Sequence, residues 1–294
     1  MKIDPKNIPT NKLHGYLLSA VAPRPIAFAS TMDANGNPNL APFSFFNAFS
    51  SNPPTLIFSA NRRVKDNTTK DTYSNIKATG EVVINTVSYK FARKMALASI
   101  EYPADVNEFE KAGLTPLPSE IVKPFRVAES SVQFECKVKN IIELGNEGGA
   151  GNLFICEVLL MHIHDDVLDA QGRIDPHKID LVARMGGPLY CRASGDAIFE
   201  INQPFDKFGI GFDNLPAKIK MSKVLTGNDL AELASIEMLP AESEIEAYRN
   251  NPAYLELAER FKNDSESLEW HIHEYAKQLL KEGNITDAWK LLLG

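Results

Sequence analysis

The chain has 294 residues, 44% of them hydrophobic and 23% charged, and its 31 basic and 38 acidic side chains give a net charge of −7. This is the composition of a globular chain long enough for two domains, which excludes a disordered or fibrous protein. An acidic balance without a basic run argues against a nucleic acid or an anionic membrane surface as the main partner.

No apolar stretch approaches the length of a membrane span, and the opening MKIDPKNIPTNKLHGY lacks the apolar segment of a secretory signal. Cys136, Cys156 and Cys191 are widely spaced and unpatterned, which fits neither a disulfide framework nor a zinc site. A cytoplasmic location is therefore expected.

In chain order, Pro25 to Thr31 predicts a strand closed by the turn Asp33-Ala34-Asn35-Gly36. Leu40 to Ser50 is rich in Phe, Ser and Asn, and Pro42 demotes it to an edge, bulge or loop. Thr55 to Ser59 and Glu81 to Val87 predict strands, with a short helix from Thr68 to Ala78 between them that Gly80 stops. Ser131 to Leu144 and Leu153 to His164 predict a long hairpin joined by a Gly-rich turn, 145–151. Many short strands without a βαβ rhythm point to an antiparallel barrel. After about Asp206 the period becomes helical, over Asn228 to Glu237, Glu242 to Lys262 and Ser265 to Glu282. Thr226 or Asn228 can cap the first of these helices, and Gly283 can end the last. The expected division is a barrel over 1–205 and a helical extension over 206–294.

Three stretches carry chemistry. Arg24-Pro25-Ile26-Ala27-Phe28-Ala29-Ser30-Thr31 is the first, and Asn39-Leu40-Ala41-Pro42-Phe43-Ser44-Phe45-Phe46-Asn47-Ala48-Phe49-Ser50 the second. The third is Arg63-Val64-Lys65-Asp66-Asn67-Thr68-Thr69. A lysine, hydroxyls and free N–H groups at a helix start suit a phosphate; the alternative reading is that Asp66 or Thr68 caps that helix. Ser44 and Asn47 among four phenylalanines suit a flat heteroaromatic ligand, which wants apolar faces and a few donors at its rim. An ordinary aromatic core face would read the same way.

In this order and spacing the three stretches resemble the flavin reductase-like family, and the resemblance runs from about Leu13 to Ile201. It implies an FMN-binding split β-barrel (a Greek-key antiparallel barrel) with C-terminal helices added. It also implies a homodimer with FMN at the interface. Ser30, Thr31, Ala41, Pro42, Phe43 and Ser44 would then line the isoalloxazine ring, largely through backbone groups, with Asn39 and Asn47 also binding the cofactor and Lys65, Asp66, Thr68 and Thr69 at the phosphate. The implied activity is NAD(P)H:flavin oxidoreduction, with NADH or NADPH as a transient co-substrate. No G-x-G-x-x-G follows a strand, so a nicotinamide would have no dinucleotide fold of its own. A flavoredoxin-like electron carrier, a pyridoxamine-phosphate oxidase-like enzyme and a non-catalytic binding module are the alternatives.

His162 and His164 share one face of a predicted strand but have no third ligand nearby, so no metal is expected. His162 is read either as bordering the flavin or as an ordinary half-buried histidine. Arg184, in Ala183-Arg184-Met185-Gly186-Gly187-Pro188-Leu189-Tyr190, is read as a phosphate or substrate contact or as a structural ion pair. His271 and His273 are expected at the surface, and the cysteines in packing.

Overall fold

The computed structural model describes residues 1–201 and 208–294. The chain forms two compact units, Met1–Phe199 and Glu200–Gly294. The expected boundary between 205 and 206 lies outside the described residues.

The first unit opens with α1 (Thr10–Ala20), a helix the sequence reading did not predict. It buries none of its residues fully, so it lacks the strong apolar stripe that would announce it. The strands β1 (Ala27–Met32), β2 (Pro38–Phe43), β3 (Phe46–Ser51), β4 (Pro54–Ser59) and β5 (Glu81–Asn85) follow, with α2 (Asp71–Thr79) before β5. Next come α3 (Ala92–Leu97), α4 (Glu108–Ala112) and a small ladder of β6 (Pro116–Leu117) and β7 (Arg126–Val127). The long hairpin β8 (Val132–Glu143) and β9 (Asn152–Ile163) leads to α5 (Pro176–Ile179) and the pair β10 (Val182–Gly186) and β11 (Leu189–Arg192).

Seven strands form one antiparallel sheet in the order β2-β1-β5-β8-β9-β4-β3. β2 and β3 are consecutive in the chain yet occupy opposite edges of this sheet. Pro42 has no N–H to give a further strand, and it sits on an edge strand as its chemistry requires. The expected single run from Leu40 to Ser50 is thus two strands, with Ser44 and Phe45 at the corner.

β1 is buried on both faces. Ala27 and Ala29 join Phe58, Ile84 and Phe154 inside the barrel. Phe28, facing the other way, packs with Phe91, Met95 and Phe109 under α3 and α4. Period-two alternation therefore feeds two cores from one strand.

α2 begins at Asp71, three residues later than predicted, and Gly80 ends it at a left-handed φ of 69°. Lys70 holds the N-cap position without a capping side chain, so neither Asp66 nor Thr68 caps this helix. The Lys65 segment is a turn ahead of the helix, and its hydroxyls are not at a helix start.

The helical unit contains α6 (Ala217–Lys220), α7 (Gly227–Leu233), α8 (Glu242–Tyr248), α9 (Pro252–Arg260), α10 (Ser265–Lys281) and α11 (Ile285–Leu293). Thr226 caps α7 in a reciprocal box with Asp229. The expected helix from Glu242 to Lys262 is broken into two because Pro252 cannot continue a helix and Asn251 starts a new one. Trp289 is wholly buried and donates its indole N–H to the Leu233 carbonyl at 3.0 Å. His273 is 5% exposed, not at the surface as expected, and its Nδ1 lies 2.7 Å from Ser222 Oγ. His271 stacks on Phe261 at 4.1 Å.

Among the described residues no helix is long and apolar enough to cross a membrane. No group of three potential metal ligands is found among them either.

Candidate functional site

The second and third stretches meet around Arg63, Lys70 and Glu101. One recess, about 70 Å³, is lined by Asn39, Ala41, Pro42 and Phe43 on the β2 side and by Arg63, Lys70, Glu101 and Glu108 on the other. A second recess, about 340 Å³, shares Arg63, Lys70 and Glu101 and adds Arg62, Lys65, Asp66 and His14. Four cations therefore face two carboxylates there, in a chain whose net charge is −7. That local excess of positive charge, with Arg forks present, is the chemistry of an anion site.

The turn that carries these cations is held from outside. Arg62 donates to the Asn67 side chain at 2.7 Å and to its carbonyl at 2.8 Å, closing a loop in which Asn67 has a left-handed φ of 59°. The Gly-rich hairpin turn packs on it, through Gly149 N–H to the Arg62 carbonyl at 3.0 Å and Arg62 N–H to the Ala150 carbonyl at 2.9 Å. A Cβ at Gly148 would lie 3.1 Å from the carbonyl oxygens of both Arg63 and Val64, so any other residue there would push this backbone back by a few tenths of an ångström.

Within the turn, Asp66 accepts from the Thr68 N–H at 3.0 Å and its hydroxyl at 2.6 Å. The Thr68 hydroxyl hydrogen first, and its N–H second, hold the Asp66 carboxyl below the usual carboxylate range. Arg63 binds Thr68 Oγ1 at 2.9 Å and the Thr69 carbonyl at 2.7 Å. Lys65 is exposed beside them.

Glu101 Oε1 accepts from both Arg63 Nε at 2.8 Å and Lys70 Nζ at 2.7 Å. Those two partners, Lys70 foremost, hold its carboxyl below the usual range. Burial pushes the Glu108 carboxyl up, opposed by the Leu40 N–H that it accepts at 3.1 Å.

The first stretch contributes mainly from inside. Ser30 and Thr31 have no exposed surface, and Asn39 is 9% exposed. Asn39 Nδ2 donates to Thr31 Oγ1 at 2.9 Å and Thr72 Oγ1 at 3.0 Å, which ties β1 and β2 to α2. Ser44 is half-buried and accepts from Arg24 Nε at 3.3 Å. Arg24 itself is 4% exposed, and its other bonds go to the carbonyls of Leu18 and Val21 at the end of α1, where a cation suits the helix dipole. Phe43 is buried against Phe58, while Asn47 is exposed on the edge strand β3.

Neither His162 nor Arg184 lines the two recesses, although Arg184 pairs with Arg24 through backbone hydrogen bonds of 3.0 and 2.9 Å. His162 Nε2 is 2.7 Å from Glu135 Oε1, and the wholly buried Glu135 also accepts the N–H groups of Glu120, Ile121 and Val122. This makes His162 part of the anchor for the loop before β7. Arg184 donates to Tyr190 Oη at 2.9 Å and the Gly187 carbonyl at 2.7 Å, and stacks on the Tyr190 ring. Among the described residues it forms no ion pair with a carboxylate.

Arg62, Arg63, Lys70 and Glu101 were not singled out as site residues from the sequence. The adjacent Arg62-Arg63 pair was a visible signal. Glu101 lies 38 positions from Arg63, and nothing local pointed to it.

The fold agrees with comparisons to known proteins. Residues 19–181 match the flavin reductase like domain, more than half the chain, and the protein belongs to that family. An Aquifex aeolicus protein is 39% identical over 189 residues, 64% of this chain and 94% of that protein. The crystal structure of nitrilotriacetate monooxygenase component B from Bacillus cereus aligns with a TM-score of 0.64 at 28% identity, covering 68% of this chain and 98% of that one. A Shewanella frigidimarina protein with a split barrel domain aligns with a TM-score of 0.58 at 25% identity, over 69% of this chain and 99% of that one. The chain thus has the flavin reductase-like split barrel fold with C-terminal helices, and its function is flavin-related redox chemistry. The family match ends before the helical unit begins.

Proposed function

We propose that the protein is an NAD(P)H-dependent flavin oxidoreductase whose flavin is FMN. The observation that carries this reading is the cation-rich recess of Arg62, Arg63, Lys65 and Lys70, which adjoins the Ala41–Pro42–Phe43 segment through Arg63 and Lys70. A phosphomonoester fits the recess, and an apolar backbone-lined segment beside it fits a flat ring. Bound there, the flavin supplies the hydride-accepting chemistry.

The chain's own residues bind and orient. Arg63 braces Thr68 and Thr69, Asp66 fixes the Thr68 hydroxyl, and Asn39 with Thr31 holds β2 against α2. Ser44, held by Arg24, fixes the corner between β2 and β3, and Asn47 on β3 is assigned to the ring end.

A homodimer with the flavin at its interface belongs to the same reading. The exposed edge strand β3 with Phe49 63% exposed, and the half-exposed Leu159, Met161 and Ile163 on β9, supply apolar surface for it. A cytoplasmic location completes the proposal.

The test is a fluorescence titration of flavin-free protein with FMN. Charge-assisted bonds are worth about 1.5–3 kcal/mol each, so Lys65→Ala, which removes an exposed cation of the recess, with Thr68→Ala, which removes the acceptor that positions Arg63, is expected to weaken FMN at least about tenfold. Unchanged affinity would remove these residues from the phosphate site.

A further inference from the structure

Resting on the phosphate reading above, we propose that Glu101 is an internal latch. Its carboxylate stands where the phosphate of the flavin would engage Arg63 and Lys70, and it must swing away for the ligand to bind. One oxygen, Oε1, takes both cations, at 2.8 Å and 2.7 Å, which is the geometry of an anion clamped between two donors. The cations are the sheltered partners, with side-chain exposures of 20% and 31%, whereas the Glu101 side chain is 58% exposed. The acid is therefore the member free to leave. It belongs to the segment between α3 and α4, outside any helix or strand, so its departure breaks no ladder.

Asp66, the other carboxylate of the recess, behaves differently. It holds the Thr68 hydroxyl and N–H and so builds the turn rather than covering it. A carboxylate and a phosphoryl group present the same acceptor oxygens to an Arg fork and a lysine. Both cannot occupy one position, so binding exchanges one anion for the other. Exposed ion pairs are individually weak, so the latch competes with the ligand rather than sealing the site.

The experiment compares FMN and riboflavin binding to flavin-free parent, Glu101→Gln and Glu101→Asp proteins by fluorescence quenching. Gln removes the charge, whereas Asp keeps it on a side chain too short to span both cations. Both variants are expected to bind FMN about three- to tenfold more tightly, with riboflavin unchanged. Tightening by Gln but not Asp would reduce the effect to bulk charge and overturn the latch. Weaker or unchanged FMN binding in both variants would overturn it too, and weaker binding would mean that Glu101 orients its cations. A parent with no preference for FMN over riboflavin would overturn the phosphate reading itself, and the latch with it. A parent that prefers FMN, with variants that fail to tighten, removes the latch alone.

Discussion

Replacing Glu135 by alanine should release the loop at Glu120, Ile121 and Val122 from the sheet. Glu135 has no exposed surface, and its carboxylate accepts those three N–H groups at 2.9, 2.6 and 3.1 Å while His162 Nε2 approaches to 2.7 Å. A buried donor left without its acceptor costs about 1–3 kcal/mol. Glu120 and Ile121 are exposed, so water can replace part of the loss. A net cost of about 3 kcal/mol corresponds to about a 100-fold rise in local opening.

Hydrogen exchange at the three amides reads this directly. It is the right probe because both tryptophans, Trp270 and Trp289, lie in the helical unit and their fluorescence does not report on this loop. Glu135→Gln keeps one acceptor oxygen, and its effect should be about tenfold.

The same carboxylate sets an acid limit. Burial by itself raises its pKa, but the Glu120 N–H, His162 and the N–H groups of Ile121 and Val122 together outweigh burial and hold it below the ordinary range. A depressed folded pKa gives stability that is fully present above the unfolded carboxylate value of about 4.3. That stability is lost as pH falls through the folded value, so protection should stay level from neutrality to about pH 5 and drop in acid. Parent-like exchange in Glu135→Ala would refute the anchoring role assigned to Glu135 and His162.

Two further outcomes follow from the packing. Gly148→Ala places a methyl 3.1 Å from two carbonyl oxygens of the Arg63–Val64 turn. FMN affinity should fall several-fold while riboflavin affinity changes little, and equal losses for both would show that the turn does not serve the phosphate. In the native state Ellman's reagent should titrate a single thiol, Cys191, which is half-buried. Burial pushes Cys136 up to about 12 and Cys156 well above the usual thiol range, so both should react only after unfolding. Rapid reaction of more than one thiol would contradict the barrel core.

The barrel was legible because its strands are short β-rich runs and because Pro, Gly and Asn punctuation separates them. Pro42 marked an edge, and Gly80 and the 145–151 turn fell where helix and hairpin end. The proline at position 252 carried the information that splits α8 from α9, yet the continuing Leu and Ala spacing outweighed it. α1 was missed for the opposite reason, since a helix that fully buries none of its residues leaves a weak stripe.

The site was half legible. The order of the three stretches identified the family, but partners distant in sequence were invisible. Glu101 reaches Arg63 across 38 positions, and Leu40 N–H meets Glu108 across 68. The side chains of Thr31 and Asn39, both expected beside the cofactor, bond to each other and to α2, a pairing that no local pattern announced. Glu135 carried no local mark of its buried role, because both faces of β8 are covered at that point and alternation there is silent.

The most direct test of the central claim is the absorbance spectrum of the purified protein, loaded with FMN and then given NADH or NADPH without oxygen. The account predicts flavin bands that bleach within a turnover time on adding one of the nucleotides. Bands that neither nucleotide bleaches would contradict the reductase and favour an electron carrier. A colourless protein that also fails to bind added FMN would contradict the flavin site altogether.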